Sequence, residues 1–424
     1  MPMRVATTHW TQRVQLLTTA IPSDLKSFIE TRVPPVEPFA SHRIDALAAL
    51  SEYLLKSSPA LRQDPASVAT AFWLRKSNLI RLREAHRART NGSLIWVPVG
   101  RVFHVAPSNV DTLFLYSWAL AYLAGNQNVV RLSKDQPFLV GELLKAIEVV
   151  AIRFPDLATA NRFVTYDHDA TISSGFSGWC GHRIVWGGNK TVQTLRDVAL
   201  NPHASERSFA SKYSYAIIKA SSYLALGQTE QGKLASAFHN DFFWFDQAAC
   251  SSPQVLFWCG STPEVAAASP QFLEKLQVEA TRRNYSTSIP LASRRTNAAF
   301  DLAARTEVMI DFSHPSMVIA TMQSKHLEDK LTCGGGFLRM IRVDSLKEIA
   351  QNVDDGDQTL THFGFEITEL IELAHLVGPK GLDRIVPIGE ALAFESIWDG
   401  FDLIEDCLRR VTVRTTPPAS ATKG

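Results

Sequence analysis

Apolar residues recur at helical spacing through the amino-terminal part of the chain, in Ile44-Asp45-Ala46-Leu47-Ala48-Ala49-Leu50 and again in Val68-Ala69-Thr70-Ala71-Phe72-Trp73-Leu74. This pattern predicts helices over positions 22–89. Asn91-Gly92 then marks a turn, and the short apolar runs at 94–99 and 101–106 predict strands. A long apolar stretch at 111–123 predicts a helix that stops at Gly125-Asn126, because glycine supplies the left-handed conformation common at helix ends. Val129-Val130-Arg131-Leu132 reads as a short buried strand, and Pro137 opens a helix running to about position 152. Arg162-Phe163-Val164-Thr165 and Arg183-Ile184-Val185-Trp186 read as further strands, the second closing on Gly187-Gly188. Strands alternating with helices of this length predict crossover units and a parallel, doubly wound sheet.

A second region of this kind begins at Tyr215-Ala216-Ile217-Ile218. It holds the strand Val255-Leu256-Phe257-Trp258, a helix over about 263–280, and a strand at 337–342. Arg410-Val411-Thr412-Val413-Arg414 reads as a strand able to add to a neighbouring subunit's sheet, which predicts a homo-oligomer. The expected organisation is a nucleotide-binding domain with a helical amino-terminal region at 1–215 and a catalytic domain at 216–375. A segment at 376–414 packs back, and the small, polar residues 415–424 form a disordered tail.

Charge and cysteine usage narrow the function classes. The 43 basic and 42 acidic residues nearly cancel, so no electrostatic footprint for nucleic acid or an anionic membrane is present. Cys180, Cys250, Cys259, Cys333 and Cys407 are odd in number and form no C-x-x-C pair, and the twelve histidines form no H-E-x-x-H. That argues against a disulfide framework or a metal site and suits a reducing compartment. No membrane-length apolar stretch occurs, and residues 1–10 lack the apolar core of a signal peptide. A cytoplasmic, metal-free protein is expected.

Most of the cysteines read as small buried hydrophobes. Cys250 differs in its setting, between Asp246-Gln247-Ala248-Ala249 and Ser251-Ser252-Pro253-Gln254, just ahead of an apolar strand. A thiol at a polar loop-to-strand junction is accessible and held by rigid structure, which suits thiolate chemistry.

These residues carry a resemblance to a known family. With Ala71-Phe72-Trp73-Leu74-Arg75, His104-Val105-Ala106-Pro107-Ser108-Asn109-Val110, Trp186-Gly187-Gly188, Gly381-Leu382-Asp383-Arg384-Ile385-Val386-Pro387-Ile388-Gly389 and Trp398-Asp399-Gly400, the chain resembles LuxC-like acyl-CoA reductases of the aldehyde dehydrogenase superfamily. The resemblance covers almost the whole chain and rests on the order and spacing of these blocks. It implies an α/β fold of the aldehyde dehydrogenase kind, with a doubly wound nucleotide-binding domain and an α/β catalytic domain. It also implies reduction of an acyl thioester to the aldehyde. Cys250 matches the nucleophile that forms an acyl-enzyme. Asn109 matches the asparagine whose amide, with the Cys250 N–H, holds the oxyanion. Removing one such donor typically costs roughly 2.7–4 kcal/mol of transition-state stabilisation. Read without the resemblance, Ser108-Asn109 would serve equally as a helix cap.

No G-x-G-x-x-G follows a strand. Aldehyde dehydrogenases bind nicotinamide cofactors without that fingerprint, through a strand-end lysine and a second loop. Arg131, Ser133 and Lys134 match the strand end, with Arg131 in the lysine's place, and Gly187-Gly188 matches the loop near the pyrophosphate. Thr191 is a candidate cap for the following helix. Two cations at the strand end suit a 2′-phosphate, so NADPH is expected ahead of NADH. Hydrolytic relatives carry a glutamate where this chain has Ser208, which favours acyl reduction over aldehyde oxidation, although Glu206 lies nearby.

Other readings attach to the remaining motifs. Phe242-Phe243-Trp244-Phe245, with Phe363 and Phe365, reads as either core or the wall of an acyl tunnel. Cys333-Gly334-Gly335-Gly336-Phe337 matches a loop where relatives carry a glutamate, missing here. His104 and His362 read as structural histidines, or as proton donors to the leaving thiol. The segments 381–389 and 398–400 are expected to shape the cleft. Expected partners are an acyl-CoA or acyl-carrier substrate and an acyl-transferring protein. The alternatives are a cysteine acyltransferase or thioesterase without redox chemistry, and a non-catalytic acyl-carrying partner.

Overall fold

The structure, a computed structural model, describes residues 9–18, 24–34, 36–89, 94–107 and 109–414. The predicted turn at Asn91-Gly92, Ser108 and the 415–424 tail lie outside the described residues. The chain forms two compact units, one of residues 1–210 and 394–424 and one of residues 211–393.

In the first unit, Arg101–Val105, Gln127–Arg131, Asn161–Thr165, His182–Trp186 and Ser205–Phe209 form a parallel sheet, and Gln15–Leu16 adds antiparallel at one edge. The chain starts at Arg101–Val105, places its next two strands on one side, then crosses to place the last two on the other. That is the doubly wound pattern, and ligands of such sheets bind beyond the carboxyl ends of the strands where the order reverses. The helix Leu113–Leu123 is apolar around its whole circumference and buried from Phe114 to Leu123, as a helix between other layers must be.

Polar residues inside this core pair with one another. Asn161 Oδ1 accepts from Trp118 Nε1 (2.7 Å) and Asn128 Nδ2 (2.9 Å), and Asn161 Nδ2 donates to the Leu157 carbonyl at 2.8 Å. Asn126 ties three segments. Its Oδ1 accepts the Gly100 N–H at 2.8 Å, and its Nδ2 donates to the carbonyls of Ala121 (3.1 Å) and Cys407 (3.0 Å).

The second unit carries a seven-stranded sheet in the order Val308–Asp311, Val318–Met322, Phe337–Val343, Val255–Cys259, Tyr213–Lys219, Asp357–Phe363, Gly381–Pro387. All neighbours run parallel except the first pair. The helices Gln228–Phe243 and Thr262–Arg282 pack together, with Phe238 edge-on to Phe272 at 5.3 Å between ring centroids.

Three expectations change. The unit boundary falls at 210/211, because Tyr213–Lys219 lies inside the second sheet and its opening residues cannot be left behind. The segment expected to pack back divides. Residues to 393 stay with the second sheet, whose outer strand is Gly381–Pro387, while Phe394 onward joins the first unit by stacking on Tyr116 (4.2 Å) and Trp398 (5.1 Å). Leu94–Pro98 is a strand outside the main sheet. It pairs antiparallel with Leu408–Thr412 of the same chain, so the predicted carboxy-terminal strand starts two residues earlier than read and finds its partner internally. The Val99 N–H also donates to the Cys407 carbonyl, extending that ribbon.

Gly125 ends the buried helix at φ +96°, where a Cβ would lie 2.1 Å from the Val36 carbonyl oxygen and 2.6 Å from Pro98 Cγ. Gly125→Ala is therefore expected to lower stability by more than about 1 kcal/mol. Urea unfolding followed by tryptophan emission measures this, and an unchanged midpoint would show that the backbone yields there at little cost.

Candidate active site

Cys250 sits on a loop that its surroundings hold in an unfavourable backbone conformation. After the helix Gln228–Phe243 the chain passes through Phe245 (φ 53°), Asp246 (φ 51°) and Gln247 (φ 62°), three successive non-glycine residues in the left-handed region. Each costs about 1–2 kcal/mol relative to right-handed backbone. Such a run persists only where neighbours over-determine it. Gln247 Nε2 donates to the carbonyls of Pro253 and Phe337, each at 3.0 Å. Gln254 Nε2 donates to the carbonyls of Gln247 (3.1 Å) and Ser252 (3.3 Å). Ser214 Oγ donates to the carbonyl of Cys250 itself at 2.7 Å and accepts the Thr359 N–H at 3.2 Å.

All these ties come from the amino-terminal edge of the second sheet, where Phe337 opens one strand, Ser214 is second in another and Asp357–Phe363 begins a third. The glycine loop at 334–336 backs the same turn, with the Gly335 N–H donating to the Asp246 carbonyl at 2.8 Å. A Cβ at Gly334 would lie 3.0 Å from the Asp246 carbonyl oxygen and one at Gly336 2.5 Å from the Ser316 carbonyl oxygen, and all three glycines have positive φ (78°, 64° and 82°), which explains their use here. The buried Arg295 guanidinium fixes this loop through the Gly335 (2.7 Å) and Ser316 (2.9 Å) carbonyls.

Cys250 is half-buried, whereas the other four cysteines are buried. Desolvation raises the thiol pKa of Cys180 to about 12 and pushes those of Cys259, Cys333 and Cys407 upward as well.

The aromatic run before this loop is core at its start. Phe242 and Phe243 are buried, and Phe243 lies 4.4 Å from Tyr285 between ring centroids, as packed core residues do. Phe363 closes its strand at the end opposite the Cys250 loop, level with Ile218, and Phe365 follows it. The same strand carries His362, level with Ile217 and Phe257, away from the loop. His104 is buried with Nδ1 2.9 Å from Ser117 Oγ, and burial lowers its pKa to about 3, so it is a neutral structural histidine.

The remaining predicted site residues gather on one edge of the first unit. Val105 pairs with Arg131 on one side and with Val185 on the other, so the chain segments following these three strands leave the sheet side by side. Asn109 is exposed four residues beyond Val105, and the N-cap position of the next helix is Thr112. Arg131 ends its strand with the guanidinium 4.8 Å from the Tyr166 ring centroid. Its Nη2 donates to the Tyr166 carbonyl at 3.4 Å, and its Nε is buried without a hydrogen-bond partner among the described residues. The Ser133 carbonyl accepts from Gln136, and Lys134 pairs with Asp167 at 3.1 Å, both side chains well exposed. Gly187 and Gly188 bridge the strand His182–Trp186 and the helix Asn189–Arg196, with Gly188 as N-cap. Thr191 lies inside the first turn and does not cap it. The contacts of Tyr166 and Asp167 with Arg131 and Lys134 were not legible in the sequence, because they come from the neighbouring strand end.

Ser208 lies in the edge strand Ser205–Phe209 and donates to Glu206 Oε1 at 2.7 Å. The other Glu206 oxygen accepts Arg183 Nε at 2.5 Å, so this carboxylate is committed to an ion pair. The segments expected to shape one cleft lie in different units. Gly381–Pro387 is the outer strand of the second, and Trp398 belongs to a short hairpin of the first. Buried Asp241 clamps the turn after Pro387, accepting the N–H groups of Gly389 (2.6 Å) and Ala391 (3.0 Å), and desolvation raises its pKa to about 7. Among the described residues no group of three or more His, Cys, Asp or Glu is placed to hold a metal, and no helix is long and apolar enough to cross a membrane.

The sequence profile of the acyl-CoA reductase (LuxC) family matches residues 78–410. The chain is 24% identical over 218 residues to a long-chain acyl-protein thioester reductase of Aliivibrio fischeri, covering 51% of this chain and 42% of the relative. It is 23% identical over 303 residues to the protein of that name from Photorhabdus laumondii, covering 69% of this chain and 58% of the relative. The matched part thus spans about half the length of these relatives. The solved structure of lactaldehyde dehydrogenase from Escherichia coli superposes over 93% of this chain and 90% of its own with a TM-score of 0.63 at 14% identity, a likeness of fold.

The burial pattern predicts an order of thiol reactivity. Limiting iodoacetamide at neutral pH is expected to modify Cys250 at least about tenfold faster than the other four thiols, because only thiolate reacts and only Cys250 is partly open. Peptide mass mapping reads this directly, and faster labelling of Cys333 or Cys259 would contradict it.

Proposed function

Because the chain belongs to the acyl-CoA reductase (LuxC) family, we propose that it reduces a long-chain acyl thioester to the aldehyde through an acyl-Cys250 intermediate. The acyl donor in this reading is coenzyme A, an acyl carrier or an acyl-transferring partner protein. The observation that carries the proposal is the placement of Cys250: half-buried, on a loop held by five hydrogen bonds, three of which join it to Ser214, Gly335 and Phe337 at the edge of a buried sheet. That combination of access and rigidity is what acyl transfer to a thiol requires.

In the proposed sequence the Cys250 thiolate attacks the thioester carbonyl carbon. The Cys250 N–H takes the oxyanion, and the donor's C–S bond breaks to release its thiol. Ser208 cannot take a proton from water near neutral pH, and Glu206 is held by Arg183, so the acyl-enzyme is protected from hydrolysis. The edge of the first sheet fits a dinucleotide: Arg131 offers a buried Nε without a hydrogen-bond partner among the described residues, and Gly187-Gly188 opens a helix N-terminus to an anion. A bound nicotinamide would supply the hydride that turns acyl-Cys250 chemistry toward aldehyde. Arg131, Ser133 and Lys134 would hold its adenosine side, and Arg131 favours NADPH, since Lys134 already faces Asp167. This cofactor edge favours a reductase over an acyltransferase or thioesterase.

Incubation with palmitoyl-CoA without reductant is expected to give a covalent acyl adduct on Cys250 by intact mass, and adding NADPH to release the aldehyde. Equal labelling of wild type and Cys250→Ala would end the assignment, while an adduct with no aldehyde would return the acyltransferase reading. Arg131→Ala is expected to raise the dissociation constant for NADPH by about tenfold or more and that for NADH by less, since a lost charge-assisted contact is worth roughly 1.5–3 kcal/mol. Equal losses in fluorescence titration would restrict Arg131 to the shared part of the cofactor.

A further inference from the structure

Three successive left-handed residues ahead of a reactive thiol are a conformation the local sequence does not favour, since none of Phe245, Asp246 and Gln247 is glycine. Gln247 is buried, and its amide nitrogen faces two main-chain carbonyls, Pro253 beyond the cysteine and Phe337 on the neighbouring strand. Its Oε1 is buried and accepts no hydrogen bond from the described residues. The side chain is thus held for its two donors, and turning the amide over would set oxygen against both carbonyls. One end of the loop is pinned to the strand Phe337–Val343 in this way.

Ser214 pins the other end. It is fully buried, donates to the Cys250 carbonyl, and accepts the N–H of Thr359 from the adjacent strand. The Ser214 carbonyl also accepts the Gln254 N–H at 2.9 Å. The peptide following Cys250 therefore has a fixed plane, and Gln247 and Gln254 fix the path on either side of it. The Gln247 amide nitrogen and the Ser214 hydroxyl are thus committed to main chain, and the Gln247 Oε1 is buried.

We infer that Gln247 and Ser214 are positioning residues that hold the Cys250 backbone in its strained turn, so that the thiol and the Cys250 N–H keep a fixed orientation for attack. This rests on the reading of Cys250 as the nucleophile. The strain makes the prediction sharp: without its clamps the turn relaxes toward right-handed backbone and carries the thiol with it. A misplacement of about 1 Å costs on the order of 10²-fold in rate.

Two variants of the full-length chain test this. Gln247→Met keeps the side-chain volume and removes both donors, and Ser214→Ala removes one hydroxyl. Single-turnover acylation by palmitoyl-CoA and iodoacetamide alkylation of Cys250 are measured for each, with thermal unfolding as the measure of fold. Gln247→Met is expected to slow acylation at saturating substrate by about 10–100-fold while the half-saturating concentration stays within about threefold. Alkylation of Cys250 should change by at least about threefold in folded protein, and Ser214→Ala should move both rates in the same direction by less. A merely structural role would lower the unfolding temperature and leave both rates per folded molecule unchanged, and that result overturns the inference. If Gln247→Met does not fold, Ser214→Ala decides by the same criteria. If wild-type Cys250 takes no acyl group, the reading of the nucleophile fails, and the alkylation rates still decide whether these residues set its orientation.

Discussion

The hydrogen bonds that keep Phe245, Asp246 and Gln247 left-handed are the interaction on which the candidate site depends. They are built from main-chain groups at the amino-terminal edge of a parallel sheet, and such a sheet is rigid only when both faces are covered. The apolar clusters on its two faces supply that cover, with Tyr215, Val255 and Ile341 in one and Ala216, Leu256 and Met340 in the other. The alternation of these neighbours along each strand is the ordinary period of two. Core packing in the second unit and the geometry of one loop are thus the same problem at different scales.

The first unit meets a different constraint. Its strands carry Asn128, Asn161, His104 and Arg183 into a buried layer, and each of these must be satisfied or the sheet pays a large desolvation penalty. The asparagines do so by pairing with Trp118 and with main chain, and Arg183 by pairing with Glu206, Ser177 and the Val198 carbonyl. The pairing that satisfies Arg183 also occupies Glu206, the candidate base two residues before Ser208. A stability requirement of the sheet and the proposed protection of the acyl-enzyme therefore involve the same ion pair. On the opposite side of the sheet, Arg131 keeps its Nε beside Tyr166 without a hydrogen-bond partner among the described residues, a polar group whose burial is costly unless a ligand completes it.

Much of this was legible in the chain. The alternation of short apolar runs with helical segments predicted two α/β regions, and both parallel sheets are present. The setting of Cys250 at a loop-to-strand junction also stands, since it precedes Val255–Cys259 by five residues. The cap read at Thr191 does not, because cap position depends on where a helix starts, and that varies by a residue or two at constant composition.

What the sequence by itself determined is periodicity and local chemistry: which runs are strands, where Gly125 ends a helix, and which cysteine stands among polar neighbours. These follow from forces acting between residues a few positions apart. Only the tertiary structure decided that Leu94–Pro98 leaves the main sheet to meet Leu408–Thr412, that Phe394 returns to Tyr116, and that Tyr166 and Asp167 stand beside Arg131 and Lys134. It also decided the left-handed turn before Cys250. No residue in Phe245-Asp246-Gln247 asks for that conformation. It exists because Phe337, Gly335 and Ser214, distant in the chain, present hydrogen-bonding groups at the positions that make it the lowest state available.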